Sequence, residues 1–306
     1  MWMLERYIEQ VQLLVGILPH IAREEVFALK GGTAINLFYR DLPRLSVDID
    51  LTYLPIQDRD ASLGHIDETL NRIMEAISKS SPALRPRRIA GGGNGDTRIM
   101  VSSGQTQIKI ETSPVSRGTV HAPVMMVASD AAVEQFGFVE MPVLAFEDLY
   151  GGKLHAALDR QHPRDLFDVK LLYENEGLTD ELFKTFMIYV ASSGRPMHEL
   201  LAPNIISLET SYAEEFLGMT REPVDLQELE DTRTQLHRDI GQRLKGDIAV
   251  FLLSLHDATP DFSLIGQPDA EHLPAVRWKL MNLEKLKQEN PAKHVEQRES
   301  LEALFQ

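Results

Sequence analysis

Apolar residues at helical spacing, Leu4, Ile8, Val11, Leu14 and Leu18, predict a helix at the start of the chain that Pro19 should end. Val26 to Leu29 is an apolar run of strand length, and it leads into a glycine pair, Gly31-Gly32. The apolar stretch Ala34 to Tyr39 predicts that the chain then continues as helix. Pro43 and its polar neighbours break the chain before Val47, Ile49 and Leu51, which alternate with Asp48 and Asp50. That period of two predicts a strand with both carboxylates on one face and the aliphatic side chains on the other. Leu63 to Ser78 predicts an amphipathic helix with Ile66, Leu70, Ile73 and Ile77 on its apolar stripe. Leu84 to Ile89 and Thr97 to Ser102 read as strands joined by the turn Gly91 to Asp96, and Thr106 to Thr112 alternates again, Ile108 and Ile110 against Lys109 and Glu111.

After Pro142 the strand patterns give way to helix upon helix. The fold class is therefore α+β and bilobed, with a mixed-sheet lobe over 1–145, a mainly helical lobe over 146–306, and a boundary near Met141 to Ala145. One helix should run from Phe146 to about Arg160, and the next should start at His162-Pro163-Arg164-Asp165, where Pro163 suits a first helical position. Asp165 and Asp168, three apart, share a face of that helix, while Leu166, Val169, Leu172 and Tyr173 can face the interior. Further helical patterns cover Glu181 to Val190, Leu226 to Leu244, Asp247 to Leu255 and Pro274 to Gln288. The acidic stretch Leu208 to Asp239 reads as a solvated part of the helical lobe.

Composition narrows the class. A chain of 306 residues, 43% apolar and 25% charged, is that of a globular protein with a substantial core. With no cysteine, disulfides, thiolate nucleophiles and zinc-thiolate sites are excluded together. The runs Val11 to Leu18 and Ala249 to Leu255 are too short to span a bilayer, and Glu5 and Glu9 spoil the basic start of a signal peptide, so the expectation is a cytoplasmic protein without a membrane partner. A net charge of −15 argues against coating nucleic acid by charge alone. One tract runs the other way: Lys79, Arg85, Arg87, Arg88, Arg98, Lys109 and Arg117 stand against only Asp96 and Glu111. It reads either as a solvated face or as a place to dock one polyanion such as RNA.

The candidate chemistry lies in the glycine pair and the strand after it. Glycines let the backbone approach phosphate oxygens, and the first amides of a helix at Thr33 and Ala34 would point at them. Carboxylates as close as Asp48 and Asp50 repel unless a cation lies between them, and Mg2+ with oxygen ligands is the usual answer. Glu111 is the first acidic residue after Asp50 on a convincing strand, and reads either as a third carboxylate of that site or as a salt-bridging strand residue. The ten histidines show no metal-ligand spacing and read as structural or surface residues.

Gly-Gly-Thr, a short spacer and Asp-x-Asp resemble the signature of the DNA polymerase β-like nucleotidyltransferase superfamily. The longer strings Leu29-Lys30-Gly31-Gly32-Thr33-Ala34 and Arg44-Leu45-Ser46-Val47-Asp48-Ile49-Asp50-Leu51 resemble the AbiEii/AbiGii branch, toxin halves of bacterial toxin-antitoxin and phage-defence pairs that include the MenT toxins. Lys153 to Arg160 and Arg164 to Val169 resemble that branch's second signature. The resemblance implies transfer of nucleotides from an NTP to an RNA acceptor, a tRNA 3′ end, and restraint by a cognate antitoxin. It implies two Mg2+ ions on Asp48 and Asp50 with Glu111 assisting. It further implies β- and γ-phosphates held by Lys30, Gly31, Gly32, Thr33 and Lys153, with Asp165 orienting Lys153 or acting on the acceptor, and Asp168 beside it. Transfer to a protein or small-molecule hydroxyl, or an idle binding module, are the alternatives.

Overall fold

The computed structural model describes residues 2–89 and 97–306; the expected turn Gly91 to Asp96 lies outside them. The chain forms two compact units, Met1–Ala145 with Leu217–Pro223, and Phe146–Phe216 with Val224–Gln306. The crossing at Ala145 is thus followed by a short return. Within the first unit, Leu45 N–H donates to the Met219 carbonyl (3.0 Å) and Arg221 N–H to the Pro43 carbonyl (2.8 Å). Leu45 and Met219 are both buried, so backbone pairing and apolar burial together hold the return in place.

The first unit runs α1 (Trp2–Ile21), β1 (Phe27–Lys30), α2 (Gly31–Ala34), β2 (Asp48–Tyr53), α3 (Arg59–Ser80), β3 (Leu84–Ile89), β4 (Arg98–Ser103), β5 (Thr106–Thr112), β6 (Val124–Val127), α4 (Asp130–Phe136) and β7 (Glu140–Val143). The strands make one mixed seven-stranded sheet in the order β3-β4-β5-β2-β1-β7-β6. β2 lies parallel to β5 and antiparallel to β1, while β1 lies parallel to β7. Ile49, Leu51, Ile99, Val101, Ile108 and Ile110 are buried on one face, and α1 and α3 pack against this part of the sheet. The stripe Ile66, Leu70, Ile73 and Ile77 of α3 is buried as its spacing predicts, and Asp58 caps that helix by accepting from Ala61 N–H (2.9 Å).

Two local expectations need correction. Pro19 does not end α1, which runs on to Ile21. Proline removes one helix hydrogen bond and its ring crowds the carbonyl four residues back, but Leu18 and Ile21, both fully buried, hold the last turn against the core. The segment after Gly31-Gly32 is not a continuous α-helix: α2 gives way to a π-turn at Ile35–Tyr39, with Arg40 N–H donating to the Ile35 carbonyl (2.8 Å). Asn36 Nδ2 donates to the Gly32 carbonyl (2.8 Å), so a side chain competes for the backbone acceptor just where the turn widens.

The second unit is helical: α5 (Phe146–Arg160), α6 (Pro163–Asn175), α7 (Asp180–Ala191), α8 (Met197–Leu201), α9 (Glu209–Glu215), α10 (Leu226–Arg243), α11 (Asp247–His256), α12 (Pro274–Glu289) and α13 (Pro291–Glu302). α5 packs on α7, where Gly151 and Gly152 accept the ring of Tyr189; a Cβ on Gly151 would come within 3.0 Å of Tyr189 Cδ2. This glycine pair serves helix packing, which fixes the turn that carries Lys153. Among the described residues no helix is long and apolar enough to cross a membrane.

Candidate active site

In the first unit β1 delivers the chain to Gly31 with Lys30 extended (φ −134°, ψ −175°). Gly31 then turns at φ +73°, a conformation that side chains disfavour, and a Cβ there would lie 2.8 Å from Asp50 Oδ2. At Gly32 a Cβ would lie 2.6 Å from Arg44 Nη2 and 3.0 Å from Ser46 Oγ. The glycine backbone is therefore pressed against a carboxylate on one side and a buried guanidinium on the other. Thr33, also buried, donates its hydroxyl to the Asp48 carbonyl and lies 3.0 Å from Ser46 Oγ, tying the turn to the start of β2. Arg44 and Ser46 were not singled out by sequence reasoning as site residues, although both stand in the string that leads to Asp48.

Gly31→Ala should cost about 1–2 kcal/mol from the positive φ alone, displace Asp50, and lower both the melting temperature and transfer activity. Gly16→Ala is the control: nothing lies within 4 Å of a Cβ at Gly16 in α1, so melting should stay level or rise. Thermal unfolding of the two variants beside the parent checks both outcomes.

Asp48 and Asp50 are half-buried on the same face of β2, and the parallel register sets Asp48 beside Lys109 and Asp50 beside Glu111. On the other flank Lys30 is the register partner of Asp50. Burial pushes the Asp50 carboxyl up; Lys30 and Lys109 oppose this, and the neighbouring charges of Asp48 and Glu111 add to it. Glu111 differs. Burial would raise it too, but Lys109 (Nζ to Oε2, 2.9 Å) and Arg98 (Nε to Oε1, 2.7 Å) outweigh that and hold it below the usual carboxylate range. The register sets Glu111 beside Asp50, and its pairing with Lys109 and Arg98 is the salt-bridging arrangement that the sequence left open beside the role of a third carboxylate.

The donor set at Asp48 and Asp50 fits a hard divalent cation: two carboxylates on one face, one of them disfavoured as an anion by burial and by its neighbour. Among the described residues no three or more His, Asp or Glu side chains are gathered as a ready-made cage. Mg2+ does not require one, since it is commonly bound by one or two carboxylates together with substrate phosphates and water.

The second unit holds its own cluster. α5 and α6 bring Lys153 Nζ to Asp165 Oδ1 (2.7 Å) and to Asp168 Oδ2 (2.9 Å), with Lys153 only 6% exposed and both carboxylates at 0%. Arg160, largely exposed, adds Nε to Asp165 Oδ2 (2.5 Å). His162 caps α6 by accepting from Arg164 N–H at Nδ1 (3.1 Å), with Pro163 at the first helical position as its type predicts. The carboxylates are buried beside Leu166 and Val169, where Lys153 meets both and Arg160 also pairs with Asp165. Of the two roles considered for Asp165, contact with Lys153 is the one seen in the geometry.

Burial alone would push the Asp165 carboxyl up, yet Lys153 and then Arg160 hold it well below the usual range. A carboxyl depressed on folding contributes stability above its unfolded pKa, near 4, and loses it as pH falls through the folded value. Urea midpoints should therefore drop as pH goes from about 5 toward 2. In Asp165→Asn the same titration should give a visibly shallower drop.

Residues 12–282 match the family described as nucleotidyl transferase AbiEii toxin, type IV toxin-antitoxin system. The chain belongs to the AbiEii nucleotidyl transferase toxin family. Its fold is similar to that of MenT4, a nucleotidyltransferase toxin from Mycobacterium tuberculosis H37Rv, with 14% identity, a TM-score of 0.60, and 90% of this chain and 93% of that one covered. A structure titled tRNA-processing enzyme (apo form I) aligns over 97% of both chains, at 11% identity and a TM-score of 0.23, too low to indicate a shared fold. No curated protein sequence matches the chain. AbiEii membership implies a cognate antitoxin, and the glycine turn and Asp48-x-Asp50 strand lie within the residues matched.

Proposed function

We propose that this AbiEii chain transfers nucleotides from an NTP to the 3′ end of an RNA, with tRNA as the acceptor, and so inhibits translation and growth from within the cytoplasm until its antitoxin restrains it. The observation that carries the reading is the Asp48–Asp50 pair on a central strand, pressed against the glycine turn by way of Gly31. The tRNA acceptor follows from the resemblance to the MenT toxins noted in the sequence.

In the proposed reaction the RNA hydroxyl oxygen attacks the α-phosphorus, the α–β phosphoanhydride bond breaks, pyrophosphate leaves, and the hydroxyl proton passes to solvent. This chemistry needs positioning and charge neutralisation more than covalent help. Asp48 and Asp50 would hold Mg2+, as two ions, with Glu111 shared between that role and its pairing with Lys109 and Arg98. When bound, the metal acidifies the hydroxyl and neutralises the leaving group. Gly31 and Gly32 offer backbone to the β- and γ-phosphates, Lys30 offers a cation beside them, and Thr33 keeps the turn on the strand. Asp165 and Asp168 hold the Lys153 ammonium in one place.

The test is incubation with Mg2+, each α-32P-NTP in turn and total bacterial RNA, followed by a denaturing gel. Label on a tRNA-sized band is the expected result and names the nucleotide. Label on protein or a small molecule, or no label with any NTP, overturns the acceptor assignment.

A further inference from the structure

The sheet face that carries the carboxylates continues beyond them. Register partners on neighbouring strands share a face, so the pairings of Asp48 with Lys109, Lys109 with Met100, and Met100 with Arg87 trace one row from central β2 across β5 and β4 to the edge strand β3. Arg98 lies in the adjacent row beside Glu111, and Arg85 lies two residues along β3 from Arg87, on the same face. The opposite face is the buried aliphatic one, whereas Arg85 and Arg87 are exposed and Met100, Arg98 and Lys109 are partly so.

Charge on this face is uneven. Glu111 is matched by Arg98 and Lys109. Arg85 lies against the Pro82 and Leu84 carbonyls, and among the described residues neither Arg85 nor Arg87 has a carboxylate partner. In a chain of net charge −15 this is a local excess of positive charge, on the flank of the carboxylates opposite the glycine turn. The turn follows β1 on one side of β2, and the arginines stand on the other, about 15 Å from Asp48 at three strand spacings of about 4.8 Å. In-line displacement sets the incoming hydroxyl and the leaving pyrophosphate on opposite sides of the reacting phosphorus, so the acceptor belongs on the flank the triphosphate does not use.

We infer that the acceptor RNA strand lies along this row, its 3′ hydroxyl at Asp48 and Asp50 and its upstream backbone phosphates on Arg87 and Arg85. The inference rests on the RNA-acceptor reading above and adds the surface that serves it. Arg85 and Arg87 are binding residues here, with no part in the chemistry.

The experiment compares the parent chain with Arg85→Ala/Arg87→Ala and Arg85→Lys/Arg87→Lys. It measures KM for tRNA and for NTP, and anisotropy of a fluorescein-labelled single-stranded oligoribonucleotide with a free 3′ hydroxyl, over a salt series. The alanine pair should raise the RNA KM and the oligonucleotide Kd about tenfold and flatten the salt slope by about 1.4, or 0.7 for each lost phosphate contact. NTP KM should stay unchanged, and the lysine pair should recover most of the binding. RNA KM, Kd and salt slope all unchanged in the alanine pair, while the parent labels RNA, overturn the surface and leave the acceptor reading intact. A parent that neither binds nor labels RNA overturns both.

Discussion

Asp48→Ala should lower transfer by about 10²- to 10³-fold or more while leaving the protein as stable as the parent, or slightly more so. The loss follows from removing one of two carboxylates that would hold the metal. The retained stability follows from local geometry. Thr33 bonds the Asp48 carbonyl and not its carboxylate, so the tie between the glycine turn and β2 survives the substitution. Asp50 meanwhile loses a like charge that adds to the pressure of burial on it. A functional site that stores repulsion of this kind commonly gains stability when disarmed. Transfer kinetics and thermal unfolding on one preparation check both halves. Full activity in Asp48→Ala removes the carboxylate pair from the mechanism; collapse of the fold shows the side chain to be structural.

Lys153→Ala should behave in the opposite way, losing about 3–5 kcal/mol of stability along with activity. It leaves Asp165 and Asp168 fully buried, with Arg160 reaching Asp165 from the surface. Burial of Lys153 and Asp165 makes both of them part of what holds the fold. Replacing the whole cluster with neutral groups of similar shape, Lys153→Met with Asp165→Asn and Asp168→Asn, should restore most of the stability, because no uncompensated charge remains inside. It should not restore transfer. Urea unfolding of the single and triple variants separates the structural from the functional contribution of Lys153. A Lys153→Ala protein as stable as the parent contradicts the ion cluster.

What the sequence made legible follows from local rules. Alternation at Asp48 and Asp50 predicted their shared face, and alternation at Lys109 and Glu111 put Glu111 where β5 could bring it to Asp50. The glycine pair announced a close approach of backbone. What approaches was hidden, because Arg44 and Asp50 reach the glycines only through the loop and strand that follow. Glu111's partner Arg98 depends on the register of β4 against β5, and the return of Leu217–Pro223 depends on pairing with Pro43 and Leu45, far away in sequence. α13 escaped notice because only His294 and Leu301 of its residues are buried, too few to mark a helical stripe. The burial of Asp165 and Asp168 was illegible for a different reason. Carboxylates read as solvent-facing until a buried lysine on the preceding helix is known to meet them.

The central claim is nucleotidyl transfer, and a paired-label experiment tests it most directly. The protein, Mg2+ and a bacterial tRNA pool are supplied with one NTP labelled either at the α- or at the γ-phosphate. The account predicts label on the RNA from the α-phosphate alone, with the γ-label recovered in pyrophosphate. RNA or protein labelled from the γ-phosphate would mean phosphoryl transfer and contradict it, as would NTP left intact with every acceptor.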